Sequence, residues 1–349
     1  MKSILLTLEY PPFKGGVANY YGHLVHSWPD KDGLEVLNQT RGHWIKSWWR
    51  LRKFLHKNPQ AYVLVGHVLP LGTVAWLQYL IRPYDYAVFF HGMDFTYAQK
   101  KFRKKWLMRQ ILKKAKKIIC ANSYVAELIK NWKPELTSKI IIINPGIDDV
   151  SLNHLENTTI LLQTKYQTKD KITLLSLGRL VKRKGVDMVL QALAGLDEAT
   201  KSKICYLVAG TGEADSYLKG LAASLQVNAI FTGEISDAEK WSFLDLCDIF
   251  IMPSRMINGD FEGFGIVYLE ANLYGKPVIA GRSGGVSDAV ISQENGLLVD
   301  PENIAEITEA IKLLVNDEEK RLSLGKMGRK RALRDFLWAD QIKKLYNNL

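Results

Sequence analysis

Two glutamates in the second half of the chain are the first candidates for chemistry. Glu262 opens a Gly-Phe-Gly loop, and Glu270 follows with seven residues between them. The two carboxylates of a glycosidase must face each other across one bond, about 5 to 10 Å apart. Here Glu262 belongs to the loop, whereas Glu270 falls in a helix that we predict to begin near Ile266, so we expect separate binding roles. The backbone N–H groups near Ile266 and Val267 form a candidate phosphate nest; the alternative is a glycine-rich turn with two glutamates at a helix entry.

Four cations stand close together directly after a predicted strand, in residues 178–185. They are Arg179, Lys182, Arg183 and Lys184. Guanidinium and ammonium groups gathered at a strand end can clamp a diphosphate and stabilise the negative charge that develops on a leaving group. The alternative is a solvated basic loop, which most charge runs are.

Two segments of the first half also follow predicted strands. The segment from Glu9 to Val17 contains a Gly-Gly pair that ends at Gly16 and opens a helix. Glycine lets the backbone approach a ligand, and the N–H groups at a helix start can receive a phosphate; the alternative is a turn that only reverses the chain. His91 comes directly after a buried strand, where a histidine can donate to a hydroxyl or a phosphate oxygen. Its alternative is a capping or loop histidine.

Other motifs carry weaker signals. Residues 210–213 (Gly-Thr-Gly-Glu) resemble half of a dinucleotide fingerprint but lack its third glycine, so we predict a tight strand–helix turn. Residues 30–32 (Asp-Lys-Asp) have a metal-binding form but stand in a polar turn, and we expect them to be structural. We therefore predict no metal site and no cofactor.

Strands and helices alternate along the whole chain. Several strand candidates are continuous apolar runs, which is typical of strands buried on both faces of a parallel sheet. The alternation predicts βαβ units and an α/β fold with doubly wound sheets. The strand candidates are Ile4–Leu8, Glu35–Asn38, Tyr62–Val65, Ala87–Phe90, Lys117–Ala121 and Ile140–Asn144 in the first half, and Ile172–Leu177, Cys205–Ala209, Ile230–Thr232, Ile249–Met252, Pro277–Ala280 and Leu297–Val299 in the second.

Length and composition set further limits. A chain of 349 residues is long for one core and predicts two domains, which we separate at a polar linker in residues 150–171. Lys and Arg exceed Asp and Glu, giving a net charge of +11, which favours nucleic acid, phosphorylated ligands or an anionic membrane as partners. Three cysteines without metal-ligand spacing indicate a reducing, cytosolic compartment.

Residues 61–81 carry no charge, but Gly66 and Pro70 interrupt them, so we expect a strand and a helix rather than a membrane span.

Together these motifs resemble the family-4 retaining glycosyltransferases over nearly the whole chain. The most specific part is residues 254–285, SRMINGDFEGFGIVYLEANLYGKPVIAGRSGG, which looks like the family's E-x7-E donor signature with its Gly-Lys-Pro-Val strand entry and Gly-Gly loop. The Tyr-Pro-Pro and Gly-Gly-Val elements, His91 and residues 178–185 follow in family order. The resemblance implies the GT-B fold, in which two Rossmann-like domains face each other across a cleft. Residues 1–150 would be the acceptor domain, residues 151–330 the nucleotide-sugar donor domain, and residues 331–349 would pack back on the first.

The resemblance also implies a role for each candidate residue. Gly16 would lie against the donor diphosphate, which Arg179 and Lys184 would neutralise in place of a metal. Glu262 would hold sugar hydroxyls, and Glu270 would bind the ribose. Further contacts implied are Ile235 beside the base, His91 near the anomeric carbon, and the donor-loop residues Gly263, Phe264, Gly265, Ile266 and Val267 around sugar and phosphate.

The implied reaction is transfer with retention of configuration, by a same-face dissociative displacement without an enzyme nucleophile. The segment Met256–Phe261 makes the donor loop longer than usual and resembles phosphatidylinositol mannosyltransferase-like members. We therefore expect a hexose to move from GDP-mannose, or next from a UDP-sugar. The acceptor would be a glycan or lipid-linked glycan in polysaccharide or glycolipid assembly.

Two basic, aromatic segments suggest where such an acceptor is met. Residues 44–57 (WIKSWWRLRKFLHK) and 100–117 (KKFRKKWLMRQILKKAKK) suit an anionic membrane interface, with rings at headgroup depth. The alternative is an ordinary surface helix with an apolar inner face. We expect a cytoplasmic enzyme, peripheral on the inner face of the cell membrane.

Two rival classes remain. A basic nucleic-acid-binding protein without catalysis would explain the cations and tryptophans, but the chain has no recognisable nucleic-acid module and the Glu262–Glu270 loop would be left without a role. A sugar-nucleotide epimerase or a phosphorylase of similar fold is the other rival, although a phosphorylase would be far longer. The partners we expect are a nucleotide-sugar donor and a glycan or lipid-linked acceptor, with no nucleic acid.

Overall fold

The computed structural model describes residues 2–13, 15–30, 32–38, 44–149 and 156–349. The chain forms two compact units. One comprises Met1–Gly146 and Trp338–Leu349, and the other comprises Ile147–Leu337. Lys14, in the predicted Gly-Gly loop, and residues 150–155 of the predicted linker lie outside the described residues.

A parallel six-stranded sheet forms the centre of the first unit. Its strands are β1 (Ser3–Thr7), β2 (Leu34–Asn38), β3 (Tyr62–Val65), β4 (Tyr86–Phe90), β5 (Lys117–Cys120) and β6 (Ile140–Ile142). They are arranged in the order β2-β1-β3-β4-β5-β6. Every residue of β1, β3 and β4 is buried, because helices cover both faces of the sheet.

Six helices and one 3-10 turn are described between β1 and β6 of this unit. Residues 61–81, the uncharged segment, form β3, a turn and a helix of 11 residues. Across the described part of the chain, no helix combines the length and the apolar character needed to cross a bilayer. The helices are α1 (Gly16–His26), α2 (Trp44–Lys57), α3 (Leu71–Ile81), α4 (Met93–Gln99), α5 (Phe102–Lys114) and α6 (Ser123–Trp132), followed by the 3-10 turn at Pro134–Lys139.

The second unit repeats the architecture. Its strands are β7 (Ile172–Leu177), β8 (Ile204–Ala209), β9 (Ala229–Gly233), β10 (Ile249–Met252), β11 (Val278–Gly281) and β12 (Gly296–Val299), all parallel, in the order β12-β11-β10-β7-β8-β9. Leu174 and Leu175, neighbours on β7, belong to two different core clusters because successive side chains point to opposite faces of a sheet. The prediction of two Rossmann-like parallel sheets is confirmed.

Nine helices of the second unit are described, and one of them contradicts the predicted linker. Within residues 150–171 the structure has a helix whose Leu162 is 7% exposed and packs into the core. The nearby ring of Tyr166 lies 5.8 Å from that of Phe243. The helices are α7 (Glu156–Tyr166), α8 (Val186–Ala194), α9 (Glu198–Lys201), α10 (Asp215–Ser224), α11 (Asp237–Leu246), α12 (Ile266–Leu273), α13 (Val286–Ala289), α14 (Ile304–Asn316) and α15 (Glu318–Asp335).

The last helix, α16 (Trp338–Asn347), belongs to the first unit, where it packs on α1. The Trp338 ring stacks on His23 at 4.8 Å and meets Tyr20 edge-on at 5.2 Å. Just before this helix, the Ile147 N–H donates to the Phe336 carbonyl oxygen at 2.7 Å, which pairs the two chain segments where they pass between units. The structure therefore divides the chain after residues 146 and 337, whereas the sequence suggested 150 and 330.

Two glycines in helices of the second unit provide a matched test of this packing. A Cβ at Gly325 in α15 would lie 1.9 Å from the Gly275 carbonyl oxygen, whereas a Cβ at Gly220 in α10 would meet nothing within 4 Å. We expect Gly325→Ala to destabilise the unit by about 1 to 3 kcal/mol because the backbones must separate. Gly220→Ala should be neutral or stabilise by up to about 1 kcal/mol because alanine favours helix. Thermal unfolding followed by circular dichroism compares them, and equal Tm changes would contradict the close contact.

Candidate active site

The strand order of the second unit reverses between β7 and β10, which are neighbours in the sheet. β8 and β9 extend to one side of this pair, and β11 and β12 to the other. In open parallel sheets, ligands bind at such a point beyond the carboxyl ends of the strands. The loops that leave β7 and β10 there contain residues 178–185 and 253–265, which are the cationic and acidic segments singled out by the sequence.

The two loops touch through their backbones. Gly185 has φ of +76°, and a Cβ on it would lie 2.2 Å from the Pro253 carbonyl oxygen. Only glycine fits this position, because both the conformation and the space exclude a side chain. Next to this contact, the Arg255 N–H donates to the Arg183 carbonyl oxygen at 2.9 Å.

Glu262 joins the loops a second time, through charge. Its Oε2 accepts hydrogen bonds from Lys184 Nζ at 2.6 Å and from Arg183 Nη1 at 2.8 Å. Burial by itself raises the pKa of this carboxyl, but Lys184 and Arg183 overcome that effect and hold the pKa at about 2. Glu262 is therefore ionised at neutral pH, and the structure brings together two residues, Lys184 and Glu262, that the sequence proposed independently.

A buried ion pair between the loop after β10 and the start of α8 stabilises this arrangement. Arg255 Nη2 donates to Asp187 Oδ2 at 2.6 Å, and both side chains are 6% exposed. Asp187 lies in the first turn of α8, directly after the cationic loop. The pair fixes the start of α8 to the loop that leads to Glu262, because breaking a buried pair leaves one charge without compensation.

Arg179 faces solvent rather than the Glu262 cluster. It lines an open cavity of about 270 Å³ together with Lys182, Arg183, Glu213 and Asp260. Among the described residues no carboxylate lies within ion-pair distance of its guanidinium. The positive charge of Arg179 is thus available to an anionic ligand at the same strand end as Lys184.

The glycine-rich loop passes directly into α12. Gly265 precedes the helix with φ of +77°, and a Cβ there would meet the ring of Tyr268 at 2.3 Å. The Tyr268 hydroxyl donates to the Met252 carbonyl oxygen at 2.6 Å, which fixes the helix start beside β10. Phe264 is buried, while Gly263, Ile266 and Val267 are half-buried at the end of the loop.

Glu270 has partners different from those of Glu262. It is 9% exposed, and its Oε1 accepts from Lys240 Nζ at 2.7 Å, with Lys240 lying 4.1 Å over the Trp241 ring. Lys240 and Trp241 belong to α11, and Ile235 is half-buried just before this helix. The two glutamates thus have different partners, and the separate binding roles expected for them stay predictions.

The first unit has its own reversal of strand order, between β1 and β3. His67, which follows β3, places its Nε2 3.8 Å from Glu9 Oε1, which follows β1. The Leu8 N–H approaches the other ring nitrogen of His67 at 3.5 Å. Gly16 begins α1 nearby in sequence, and a Cβ on it would meet nothing within 4 Å.

His91 is held by a chain of hydrogen bonds in the first unit. The Tyr21 hydroxyl donates its proton to the Gly66 carbonyl oxygen at 2.6 Å, and its oxygen lies 2.7 Å from His91 Nε2. Because a hydroxyl has one proton to give, Nε2 must be the donor, which leaves Nδ1 as an acceptor. Burial, with a smaller contribution from His67, lowers the pKa of His91 to about 3. In this arrangement the Nε2 proton is engaged by Tyr21, and the predicted contact of His91 with a ligand stays a prediction.

Sequence reasoning missed several side chains of these clusters. Arg183 was seen only as part of a charge run, and Lys240 and the Arg255–Asp187 pair were not singled out. Glu9 stood in a recognised segment without a role, while His67 followed a strand end as His91 does, which was a usable signal. No sequence signal marked Asp94 as a site residue, although its Oδ2 accepts a hydrogen bond from the backbone N–H of His91 at 3.0 Å.

Two family models match this chain. Residues 4–150 match Glycosyltransferase Family 4, and residues 161–331 match Glycosyl transferases group 1. The fold and the loops at the strand ends thus define a GT-B glycosyltransferase that acts on nucleotide-sugar donors. The chain belongs to the family-4 glycosyltransferases and resembles phosphatidylinositol mannosyltransferases.

Individual relatives agree with this membership. An uncharacterized glycosyltransferase of Methanocaldococcus jannaschii is 30% identical over 264 residues, covering 74% of this chain and 67% of the relative. The GDP-mannose-dependent alpha-(1-6)-phosphatidylinositol monomannoside mannosyltransferase of Mycobacterium tuberculosis is 25% identical over 374 residues, covering 98% and 96%. The crystal structure of Anabaena HepE in complex with UDP shares the fold, with a TM-score of 0.81 at 16% identity and 99% of each chain covered.

The ionisation of Glu262 should make stability depend on pH within one window. Its pKa of about 2 lies below the value of about 4.3 for an unfolded glutamate, so it stabilises the fold above pH 4.3 and loses this effect as pH falls towards 2. We expect Glu262→Gln to cost about 3 kcal/mol at pH 7, with the gap to the natural protein closing below pH 4. Unfolding measured from pH 7 to 2.5 tests this, with the exposed Glu213→Gln as control. A gap that stays constant with pH would contradict the assignment.

The imidazole of His91 should stay neutral at all pH values in which the enzyme works. A histidine with a pKa of about 3 does not titrate between pH 8 and 4, whereas an ordinary one titrates near pH 6.5. Nitrogen and proton NMR shifts of the ring, assigned by comparison with His91→Gln, should remain constant over this range and report the Nε2–H tautomer. A midpoint near 6.5, or an Nδ1–H tautomer, would refute the hydrogen-bond chain.

Proposed function

We propose that this glycosyltransferase moves a hexose from a nucleoside-diphosphate sugar, with retention, to a glycan or lipid-linked glycan in polysaccharide or glycolipid assembly. GDP-mannose is the favoured donor and a UDP-sugar the next. The observation that carries the proposal is the Glu262 carboxylate bound by Lys184 and Arg183 at the strand-order reversal of the second unit. The mannosyltransferase relatives support GDP-mannose, and the UDP complex of HepE supports the second choice.

The cationic loop would hold the diphosphate. Arg183 and Lys184 are paired with the Glu262 carboxylate, and Arg179 adds a positive charge, unpaired within the ranges that the structure describes, at the same strand end, which leaves positive charge for a phosphate ligand. Partial burial strengthens such interactions because less water screens them. As the bond between sugar and phosphate breaks, Arg179 and Lys184 would stabilise the negative charge of the leaving diphosphate.

The two glutamates would hold the two ends of the donor. An ionised carboxylate is an acceptor only, so Glu262 would receive hydrogen bonds from sugar hydroxyls, and Glu270 from the ribose. The N–H groups of the loop would bind sugar and phosphate, and Ile235 would flank the base. These donor-loop residues are Gly263, Phe264, Gly265, Ile266 and Val267.

His91 and Gly16 are the groups we propose from the first unit. Because Nε2–H donates its hydrogen bond to Tyr21, Nδ1 of His91 would accept a hydrogen bond from a hydroxyl of the transferred sugar. Gly16 would let the diphosphate approach the start of α1, since nothing occupies the space of a Cβ there.

The acceptor oxygen would bond to the anomeric carbon on the face that the diphosphate leaves, and its proton would pass to the leaving phosphate.

We propose that transfer needs neither a metal nor a cofactor. The cations of residues 178–185 supply the positive charge that a metal provides in other transferases. In the described ranges, no three His, Cys, Asp or Glu side chains are grouped as a metal ligand set. Equal transfer rates with EDTA and with Mg²⁺ would support this part, and loss of transfer in EDTA would overturn it.

We also propose a peripheral position on an anionic membrane, at the cytoplasmic face. The inner residues Met108, Ile111 and Leu112 of α5 are buried, as in an ordinary surface helix, but Phe102 and Trp106 are 85% and 47% exposed. On α2, the exposed apolar rings and chains of Trp44, Ile45 and Trp49 stand among cations. Each cation near an anionic surface adds about 1 kcal/mol of binding, and aromatic rings prefer the headgroup depth.

Nucleotide binding provides the first test of the donor proposal. We expect one of GDP, UDP, ADP and dTDP, without metal, to raise the Tm of the natural protein, because a ligand of the native state stabilises it. Lys184→Met should weaken binding of that nucleotide about tenfold to a hundredfold, since a charge-assisted hydrogen bond is lost. The matched control is Lys203→Met. It removes the same charge just before β8, at the amino ends of the strands and away from the predicted site.

The outcomes separate the competing functions. Stabilisation by GDP followed by mannose transfer from GDP-mannose supports the favoured donor, and stabilisation by UDP alone moves the choice to UDP-sugars. Equal affinities of Lys184→Met and Lys203→Met would remove Lys184 from the phosphate clamp. A Tm shift with single-stranded oligonucleotides, but with none of the four nucleotides, would favour the nucleic-acid-binding alternative.

A further inference from the structure

Two polar side chains at the strand-order reversal of the first unit have no part in the donor chemistry proposed above. Glu9 follows β1 and His67 follows β3, the neighbouring strands between which the order reverses. Ligands of open parallel sheets bind beyond the carboxyl ends of the strands at such a point. His67 Nε2 and Glu9 Oε1 lie 3.8 Å apart there. This distance is too long for a direct hydrogen bond, so a ligand atom can bind both groups at once.

The backbone is fixed on both sides of this pair. The Thr7 hydroxyl, at the end of β1, donates to the Glu9 carbonyl oxygen at 2.8 Å and accepts from the Glu9 N–H at 3.1 Å. The residue before His67 is Gly66, whose N–H donates to the Leu6 carbonyl oxygen at 2.8 Å and whose carbonyl oxygen accepts from the Tyr21 hydroxyl at 2.6 Å. Both side chains therefore project from rigid positions, as a preorganised binding site requires.

The imidazole ring of His67 directs a donor towards the carboxylate. The Leu8 N–H points to Nδ1 at 3.5 Å, a long contact that makes Nδ1 the acceptor and places the ring proton on Nε2. No group that the structure describes hydrogen-bonds to Nε2, and this atom remains open to solvent. The side chains of His67 and Glu9 are 11% and 34% exposed. Together they present one N–H donor and one carboxylate acceptor to a ligand.

The pair matches the two functions of a single hydroxyl group. A hydroxyl oxygen accepts one hydrogen bond while its proton is donated in another. With Nε2 and Oε1 3.8 Å apart, such an oxygen can lie about 2.8 Å from each of them, an ordinary hydrogen-bond length. A phosphate fits poorly, because Glu9 repels its charge and its ionised oxygens have no proton to donate. The pair therefore favours a neutral polyhydroxyl ligand.

We infer that Glu9 and His67 bind a hydroxyl group of the sugar acceptor, a neutral hexoside. The Nε2–H of His67 donates to the hydroxyl oxygen, and the hydroxyl proton is donated to Glu9 Oε1. These two bonds fix the orientation of the acceptor on the first unit. The inference rests on the proposed transfer to a glycan and deepens it, because it assigns residues to the acceptor. It requires nothing of Glu262, Lys184 or Arg179.

An uncharged hexoside and its monodeoxy analogues give the sharpest test. We use octyl α-D-mannopyranoside as the probe and measure its binding to the full chain by titration calorimetry. We expect one of the deoxy analogues to bind the natural protein about tenfold to a hundredfold more weakly than the parent, because it cannot form the charge-assisted hydrogen bond to Glu9.

Variants then assign the missing bond to the pair. Glu9→Met keeps the length of the side chain without an acceptor oxygen, so it should bind the parent as weakly as the deoxy analogue and no longer distinguish the two. The control Glu35→Met makes the same change on the exposed side of β2 and should keep the discrimination. His67→Phe keeps a planar ring without the N–H and should weaken binding of the parent about fivefold to tenfold.

Nucleotide binding separates a binding role from a structural one. The Tm shift caused by the donor nucleotide should be as large in Glu9→Met and His67→Phe as in the natural protein, because neither side chain binds the donor. A smaller shift in both variants, together with weaker hexoside binding, would show that the pair only maintains the fold and would overturn the inference.

The remaining outcomes are distinct. Failure of the natural protein to bind octyl mannoside overturns the hexoside site, and the donor site stands if a nucleotide still raises the Tm. Equal affinities of Glu9→Met and Glu35→Met for the parent place the hexoside elsewhere and also overturn the inference. Hexoside discrimination that depends on Glu9, without a Tm shift from any nucleotide, would support this site and overturn the donor part of the proposed function.

Discussion

The ion pairs of Glu262 with Lys184 and Arg183 are the interaction on which the second unit's strand-end loops depend. Removing a carboxylate from water is costly, and the two cations offset that cost only while both loops keep their positions. The Gly185–Pro253 contact and the Arg255–Asp187 pair hold those positions from the backbone and from the core. Charge, backbone approach and buried pairing therefore support one another, and none of them would suffice without the parallel strands that bring the loops together.

The first unit has a chain of neutral hydrogen bonds at its own strand ends, near the Glu9–His67 contact. Its strand order also reverses at the carboxyl edge, but there the chain from His91 through Tyr21 to Gly66 uses neutral hydrogen bonds in a buried setting. Burial lowers the pKa of His91 and so keeps the ring uncharged and its tautomer fixed. At the described strand ends, the second unit therefore holds fixed charges and the first holds a hydrogen-bonded chain of fixed direction.

The cations of this protein stand in two kinds of surroundings. Arg183 and Lys184 are bound to the Glu262 carboxylate, which fixes their geometry. Those of α2 and α5 project beside exposed aromatic rings, where flexible side chains can adapt to a surface.

The sequence by itself determined both sheets, because continuous apolar runs can be satisfied only where helices cover both faces. All twelve predicted strands occur, each within two residues of its expected bounds. It also indicated the loops around Glu262 and Lys184, since strand ends and glycines are local features. Tertiary structure alone decided that α7 packs where a linker was expected, because Leu162 is buried by a core formed elsewhere in the chain. It alone decided the partners of Glu262 and His91 as well, since these contacts join residues about 70 to 80 positions apart and their pKa values depend on the burial that folding creates.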